Sequence, residues 1–434
     1  MIAMHHVAVE LDFVNRKREL AELNDHAHQG GLLVVFGRRR VGKTRLMVHW
    51  LRQRQGLYSQ AIEASKQQQL DQVLADVREG LTTSSLTPRS FGELLELVDL
   101  QPRGHVLCLD EFPYLVAADP SLPSVVQRWF DHRRRKDSSL ILAGSSNRMM
   151  NDLFLNRGAP LYGRARKLLH VEPMSYRAFC QACGQDPLSR DTFTRFSMVG
   201  GVPKYWEMIR HRQSPVALAE ALFFGSSPYL EFEPQRLLKD EGVSGVSAQA
   251  LLEAVGRGAE KPSEIAGRLG TAQTNLSRLF QLLLDAHLLE RQLPFDESLR
   301  TTKRTLYRLL DPTIRFWFRV YSPHRTRWSR YSLADKKRLL DGHASTVFED
   351  ALRARFPGAA RYWEAEAEFD VVRLQGDRLV VSEVTWASLS TAARKARLLA
   401  VRQRFCRTRL AQKYPKARFE VLDASELRAL AKDE

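Results

Sequence analysis

The chain has 434 residues, with 66 Lys and Arg against 50 Asp and Glu and a formal net charge of +16 at pH 7. A composition 44% hydrophobic and 27% charged fits a folded globular protein of about two to four domains, and four cysteines in this length exclude a disulfide scaffold and suit a reducing cytoplasm. No apolar run approaches the ~20 residues that cross a bilayer and the N-terminal MIAMHHVAVELDF lacks the zones of a signal peptide, so a cytoplasmic location with no membrane partner is expected.

Three short apolar runs punctuate the first third: LLVVFG (32–37), HVLCLD (105–110) and LILAGSS (140–146). Helical patterns lie between and after them, which predicts an α/β domain with a largely parallel sheet. The first run leads into Gly37-Arg38-Arg39-Arg40-Val41-Gly42-Lys43-Thr44, a GxxxxGK[ST] loop, and then into a helical pattern beginning near Arg45. Strand, glycine-rich loop and helix in that order make a phosphate cradle. Lys43 is expected at the β- and γ-phosphates, and the Thr44 hydroxyl on Mg²⁺. The second run ends in Asp110 and Glu111, placed to hold Mg²⁺ and to polarise the attacking water. The third ends in Ser145 and Ser146, either of which can sense the γ-phosphate from a neighbouring strand. Arg164, in LYGRARK, is a candidate for stabilising transition-state charge, with a structural role as the alternative.

FVNRKREL (13–20), the phosphate loop, LDEF, LILAGSS, LYGRA and GGVPKYW together resemble an ATPase family within the AAA+/STAND-like P-loop NTPases, common in archaea and also found in bacteria. The resemblance implies ATP with Mg²⁺ as ligands. It also implies that Arg16 and Pro203 lie near the base or ribose. The family usually has Gly where this chain has Asn15. STAND-type members are slow switches, which implies low turnover. AAA+-like proteins often form rings while STAND-like ones rest as monomers, so a homo-oligomer stays open.

Residues 172–240 read as short helices and loops that form a lid. From 246 to 311 the order is helix, turn, helix, turn, helix and hairpin, which predicts a winged helix-turn-helix; the same family carries one here. Thr274, Asn275, Ser277 and Arg278 face outward near the start of the third helix, and Arg300, Lys303 and Arg304 lie in the wing. Such a helix either reads DNA in the major groove or packs on the nucleotide domain as a regulatory module.

The last segment, with VFEDAL, RYWEAEAEFDVV and VVSEVTW, resembles the restriction-endonuclease-like domain that ends many of these ATPases. The resemblance implies that Glu349, Asp370 and Glu383 occupy the acidic, Mg²⁺-holding positions. Thr385 stands where that family has Lys. Lys395, on the next helix, is a candidate replacement, although a degenerate domain kept for binding or assembly is the commoner outcome. Cys180 and Cys183 read as ordinary reduced cysteines and His5-His6 as an exposed tail. Arg133-Arg134-Arg135-Lys136 reads as a solvated face, with a DNA or subunit contact as the alternative.

These readings divide the chain into a P-loop ATPase core (1–171), a helical lid (172–240), a winged helix-turn-helix (241–311) and a small α/β restriction-endonuclease-like domain (312–434). The expected function is an ATPase coupled to a DNA-binding or regulatory module. An ATP-gated metal-dependent nuclease and a non-catalytic switch are the alternatives. The basic excess is localised: residues 298–334 carry nine cations and one acid, residues 384–419 ten cations and no acid. That sum of +18 exceeds the whole-chain charge, so any polyanionic partner such as DNA is expected at the C-terminal third.

Overall fold

The computed structural model describes residues 11–432 apart from residues 55, 82–86, 103, 134, 211–212, 244 and 365–366. His5, His6 and Arg134 therefore lie outside the described residues. Strand β1 (Gly31–Phe36) is apolar throughout because both of its faces are covered. Leu32, Val34 and Phe36 enter one hydrophobic cluster and Leu33 and Val35 another, on opposite faces. β2 (Gly56–Gln60), β3 (Val106–Asp110), β4 (Ser139–Gly144) and β5 (Ala165–His170) join it in a five-stranded sheet of order β2-β3-β4-β1-β5. Every pairing is parallel. β2 and β5 were not anticipated from the sequence. They are the two edge strands and are only partly buried, so GLYSQ and ARKLLH carry no continuous apolar run.

Helices Tyr176–Cys183, Arg190–Val199 and Glu233–Asp240 follow. Next come helices Val246–Gly256, Pro262–Arg268 and Ser277–Asp285, and a two-stranded antiparallel hairpin of β6 (Leu289–Gln292) and β7 (Leu306–Leu309). One hydrophobic cluster runs from the first of these helices through the three-helix segment to the helix Leu333–Ala354. Trp317, Tyr321 and Trp328 belong to it, Trp328 stacked on Phe224 with ring centroids 3.9 Å apart. These aromatics, which alternate with basic residues in the sequence, are thus core residues and not a surface for stacking bases.

The C-terminal part runs helix Leu333–Ala354, β8 (Ala360–Glu364), β9 (Ala367–Gln375), β10 (Arg378–Val384), helix Thr391–Phe405 and β11 (Arg418–Leu422). Its sheet order is β11-β10-β9-β8, antiparallel except for the β10–β11 pair. The hairpin of β6 and β7 is fastened to this C-terminal part. Phe295 lies in the core between the sheet and helix Thr391–Phe405, and its N–H donates to the Arg361 carbonyl at 2.8 Å. Asp350 accepts from Arg308 of β7 at 2.7 Å, from Arg315 at 2.5 Å and from Arg353. Among the described residues no helix is long and apolar enough to cross a membrane.

Candidate nucleotide site

The sheet's strands all point their C-terminal ends the same way, and the loops there form a crevice. The phosphate loop leaves the end of β1 and enters helix Lys43–Leu51. Gly42 has φ +99°, a value an L side chain rarely adopts, and a Cβ there would meet nothing within 4 Å, so the requirement is backbone shape and not space. The Lys43 ammonium donates to the carbonyls of Gly37 (2.8 Å) and Arg38 (3.1 Å). Burial pushes it below its usual value against the pull of Glu111, Asp110 and Glu241. A buried cation bonded only to neutral carbonyls suits an anionic ligand.

Thr44 and Asp110 meet across the crevice, the threonine hydroxyl donating to Asp110 Oδ2 at 2.5 Å. Asp110 is fully buried and also accepts from the Tyr58 hydroxyl at 3.0 Å. Two oxygen ligands side by side fit Mg²⁺, which takes one or two protein oxygens and completes its shell with phosphate and water. No group of three or more His, Cys, Asp or Glu able to hold a metal occurs among the described residues. Glu111 has φ 54°, unusual for a non-glycine residue, and Ser145 donates to its Oε1 at 2.5 Å. Of the two serines left open by the sequence, Ser145 thus faces Glu111. Ser146 caps helix Asn147–Phe154 and donates to Glu241 at 3.0 Å. A cavity of about 390 Å³ opens beside Glu111, lined in part by Ser145, Tyr114, Arg39 and Asp240.

The three loop arginines turn away from the cradle. Arg38 pairs with Asp311 and donates to the Tyr205 hydroxyl at 2.8 Å, Arg39 pairs with Asp240 at 2.6 Å, and Arg40 pairs with Glu233 at 2.6 Å. Their side chains bind Tyr205, Glu233, Asp240 and, at the exit of the hairpin, Asp311, so only their backbone remains for phosphates. Val41 is buried beneath the loop, and its carbonyl holds Arg16 at 2.9 Å. Arg16 also donates to Glu19 (2.8 Å) and to the Glu172 carbonyl (2.8 Å). Its guanidinium therefore ties the N-terminal turn to the loop. Asn15 and Arg16 take φ values of 60° and 71°. Asn tolerates this region better than most residues, which explains how the chain does without the usual glycine. Arg16, Arg45, Gly42 and Pro203 line one small cavity of about 30 Å³. That holds little more than a water molecule, so no nucleotide base fits this cavity as it stands.

Two expected residues are not at their sites. Ala165, next to Arg164, pairs with Leu32 at the beginning of β1, about 15 Å along the strand from the phosphate loop. Arg164 is bonded there to Asp131 at 2.9 Å, so within this chain it does not reach the phosphates. In the C-terminal part, Asp370 lies near Glu349 of helix Leu333–Ala354 and near Glu383 of β10, but among the described residues the three do not form a group able to hold a metal ion. Burial, then Asp370 and Asp350, push the Glu349 carboxyl up to about 7; burial, with Glu383, pushes Asp370 up to about 6. The cation that reaches Glu383 is Arg404, at 2.5 Å. Lys395 lies nine residues earlier in the same helix, about 13 Å along its axis, and is exposed.

Near the hairpin, Thr274, Asn275, Ser277 and Arg278 are exposed, as are Arg300 and Lys303. Arg304 is not free: it pairs with Glu297 and donates to the Trp363 carbonyl at 2.8 Å. The far end of helix Ser277–Asp285 packs on helix Asn147–Phe154, where Asn147 donates to the Ala286 carbonyl at 3.5 Å. The helix thus packs on the nucleotide domain at one end and leaves the other end open. Sequence reasoning missed Tyr58, Glu233, Asp240 and Glu241. Their residue types carry no motif, and only the fold brings them to the crevice.

A parallel sheet with a glycine-rich loop running from an interior strand into a helix, and an acidic pair ending a second strand, defines a P-loop NTPase core. Residues 13–209 match a family of ATPase domains found predominantly in Archaea. The chain is 25% identical over 397 residues to an uncharacterized protein of Methanocaldococcus jannaschii, covering 87% of this chain and 88% of that one. A Walker-type ATPase of Pyrococcus abyssi has a similar fold, with a TM-score of 0.52 at 16% identity, over 71% of this chain and 97% of that one.

Proposed function

We propose that the protein binds ATP with Mg²⁺ in the crevice and hydrolyses it slowly, and that the nucleotide state sets the attitude of a winged-helix module at residues 241–311. The observation that carries this reading is the meeting of Thr44 with Asp110 beside the Glu111–Ser145 pair. Mg²⁺, when bound between Thr44 and Asp110, would neutralise phosphate charge. Lys43, freed from its carbonyl partners, binds the phosphates, the loop amides orient them, and Glu111 holds the attacking water and takes its proton. Low turnover is supported by the Ser145 hydroxyl, which occupies one Glu111 oxygen, and by a base cavity that must open. The exposed Thr274, Asn275, Ser277, Arg278, Arg300 and Lys303 form the proposed DNA-facing surface.

The C-terminal segment (312–434) is proposed as a degenerate restriction-endonuclease-like domain used for binding. The helix, three-strand meander, helix and parallel strand support that fold, while Arg404 on Glu383 and Thr385 in place of Lys argue against cleavage. The ATPase core (1–171) and lid (172–240) complete the division.

Calorimetry on Lys43→Ala tests the site: the substitution removes ATP binding, and unchanged binding refutes it. Glu111→Gln should keep ATP binding and lose hydrolysis; turnover equal to that of a hydrolysing wild type would show that Glu111 is not the catalytic base, and a wild type that binds ATP without hydrolysing it would be a non-catalytic switch.

A further inference from the structure

Glu241 stands just past the lid helix Glu233–Asp240 and is 4% exposed. Its carboxylate accepts from four donors of one neighbouring loop: the Ser146 hydroxyl (3.0 Å), the Asn147 N–H (3.2 Å), the Asn147 side-chain amide (3.4 Å) and the Arg148 N–H (3.1 Å). Arg148 returns the contact, donating to the Gly242 carbonyl at 2.9 Å. The residue before Ser146 is Ser145, whose hydroxyl holds Glu111. The residue before Glu241 is Asp240, which holds Arg39 of the phosphate loop. One turn of chain therefore grips the phosphate loop with one carboxylate and the loop behind the water-polarising glutamate with the next. Gly242, at φ +63°, bends the chain directly afterwards, and helix Val246–Gly256 of the three-helix module begins four residues on.

A buried carboxylate is costly unless it is fully paired, and this one is hydrogen-bonded by the turn after β4 and the start of helix Asn147–Phe154, next to the serine whose hydroxyl holds Glu111. Loop and carboxylate consequently move together: a shift of Ser145 as Glu111 turns toward water pulls on Ser146, and Ser146 pulls on Glu241. We propose that Glu241 is the positioning residue through which the Glu111 loop and the module at 246–309 communicate. This rests on the ATPase reading above and adds the route of its coupling. Glu241 touches no reacting atom; it sets the place of the loop that orients Glu111, and it reports that loop's position to the helices that follow.

The test uses the full-length protein, a non-hydrolysable ATP analogue with Mg²⁺, and amide hydrogen exchange read on peptides spanning 277–292. In the wild type the analogue changes exchange in these peptides. In Glu241→Ala it still binds, with Kd within about threefold, but the exchange response falls by about threefold or more. Steady-state ATPase shows kcat lowered about tenfold with KM nearly unchanged. Glu241→Gln, which keeps the shape and one acceptor oxygen, restores part of both. A merely structural role would not separate kcat from KM or be partly rescued by the amide. A full exchange response in Glu241→Ala overturns the proposal. So does a wild type that binds the analogue with no change at 277–292. If Glu241→Ala does not fold, Glu241→Gln decides, since a response and kcat identical to wild type in that variant refute the role of the charge. A wild type that binds no ATP removes the nucleotide reading itself, which is a separate result.

Discussion

The Arg40–Glu233 pair offers a direct handle on the lid. Glu233 is 2% exposed and Arg40 22% exposed at the side chain, with Nη1 2.6 Å from Oε2. The other Glu233 oxygen accepts from the Tyr205 hydroxyl, and Arg38 lies 4.0 Å away. Glu233→Gln keeps the shape and deletes the charge, leaving the guanidinium groups of Arg40, Arg38 and Arg236 beside a neutral amide. Removing one partner of a buried pair costs about 3–5 kcal/mol. Arg40 keeps part of its surface in water, which screens the loss to about 2 kcal/mol. If lid opening breaks this pair, that difference speeds nucleotide release by about 30-fold. Stopped-flow release of a fluorescent ADP analogue from the wild type, Glu233→Gln, Arg40→Met and the double variant measures it. The pair predicts that each single variant releases fast and that the double variant is little faster than either. Release within twofold of wild type in both single variants, or effects that simply add, would refute the reasoning.

Three further outcomes follow from the geometry. His343 is 1% exposed, its Nε2–H donates to the Ser197 carbonyl at 2.8 Å, and burial pushes its pKa down to about 3. A depressed pKa means that the neutral form is the folded one, so its stability is complete above about pH 6.5 and is lost as pH falls toward 3, by about 1.4 kcal/mol per unit; melting curves of the wild type should fall through this window more steeply than those of His343→Gln. Plasmid incubated with Mg²⁺ or Mn²⁺ should remain uncut, because Arg404 already neutralises Glu383; cleavage abolished by Asp370→Ala would show a working nuclease. Lys303→Ala should reduce the slope of log affinity for duplex DNA against log salt by about one, whereas Arg304→Ala should lower the melting temperature and leave that slope nearly unchanged, since its guanidinium is bonded to Glu297 and Trp363.

The phosphate loop and the acid-ended strand were legible because backbone chemistry dictates their letters. Gly42 answers a dihedral angle, Lys43 and Thr44 answer phosphate and metal, and Asp110 ends a run buried on both faces. The three interior strands were legible for the same reason, whereas the edge strands β2 and β5 each have a wet side and no continuous apolar signal. The lid's part in the site was not legible at all. Nothing local marks Glu233, Asp240 or Glu241 as partners of residues 39–40 and 146–148, because those contacts span about 90 to 200 positions of sequence. For Arg164 the structural alternative holds within this chain, since it is bonded to Asp131 just before β5, and Lys395 lies toward the opposite end of its helix from Arg404, the cation that reaches Glu383.

The anchoring of Phe295 under the C-terminal sheet, with Asp350 gathering arginines from the hairpin, from residue 315 and from the long helix, has a consequence for stability. The loop between the hairpin strands is packed into the core of the C-terminal sheet, and the second strand is ion-paired to the helix that precedes that sheet. Substituting Phe295 or Asp350 is therefore expected to loosen both parts of the chain at once, so that a stability loss read at the hairpin is matched at the C-terminal sheet.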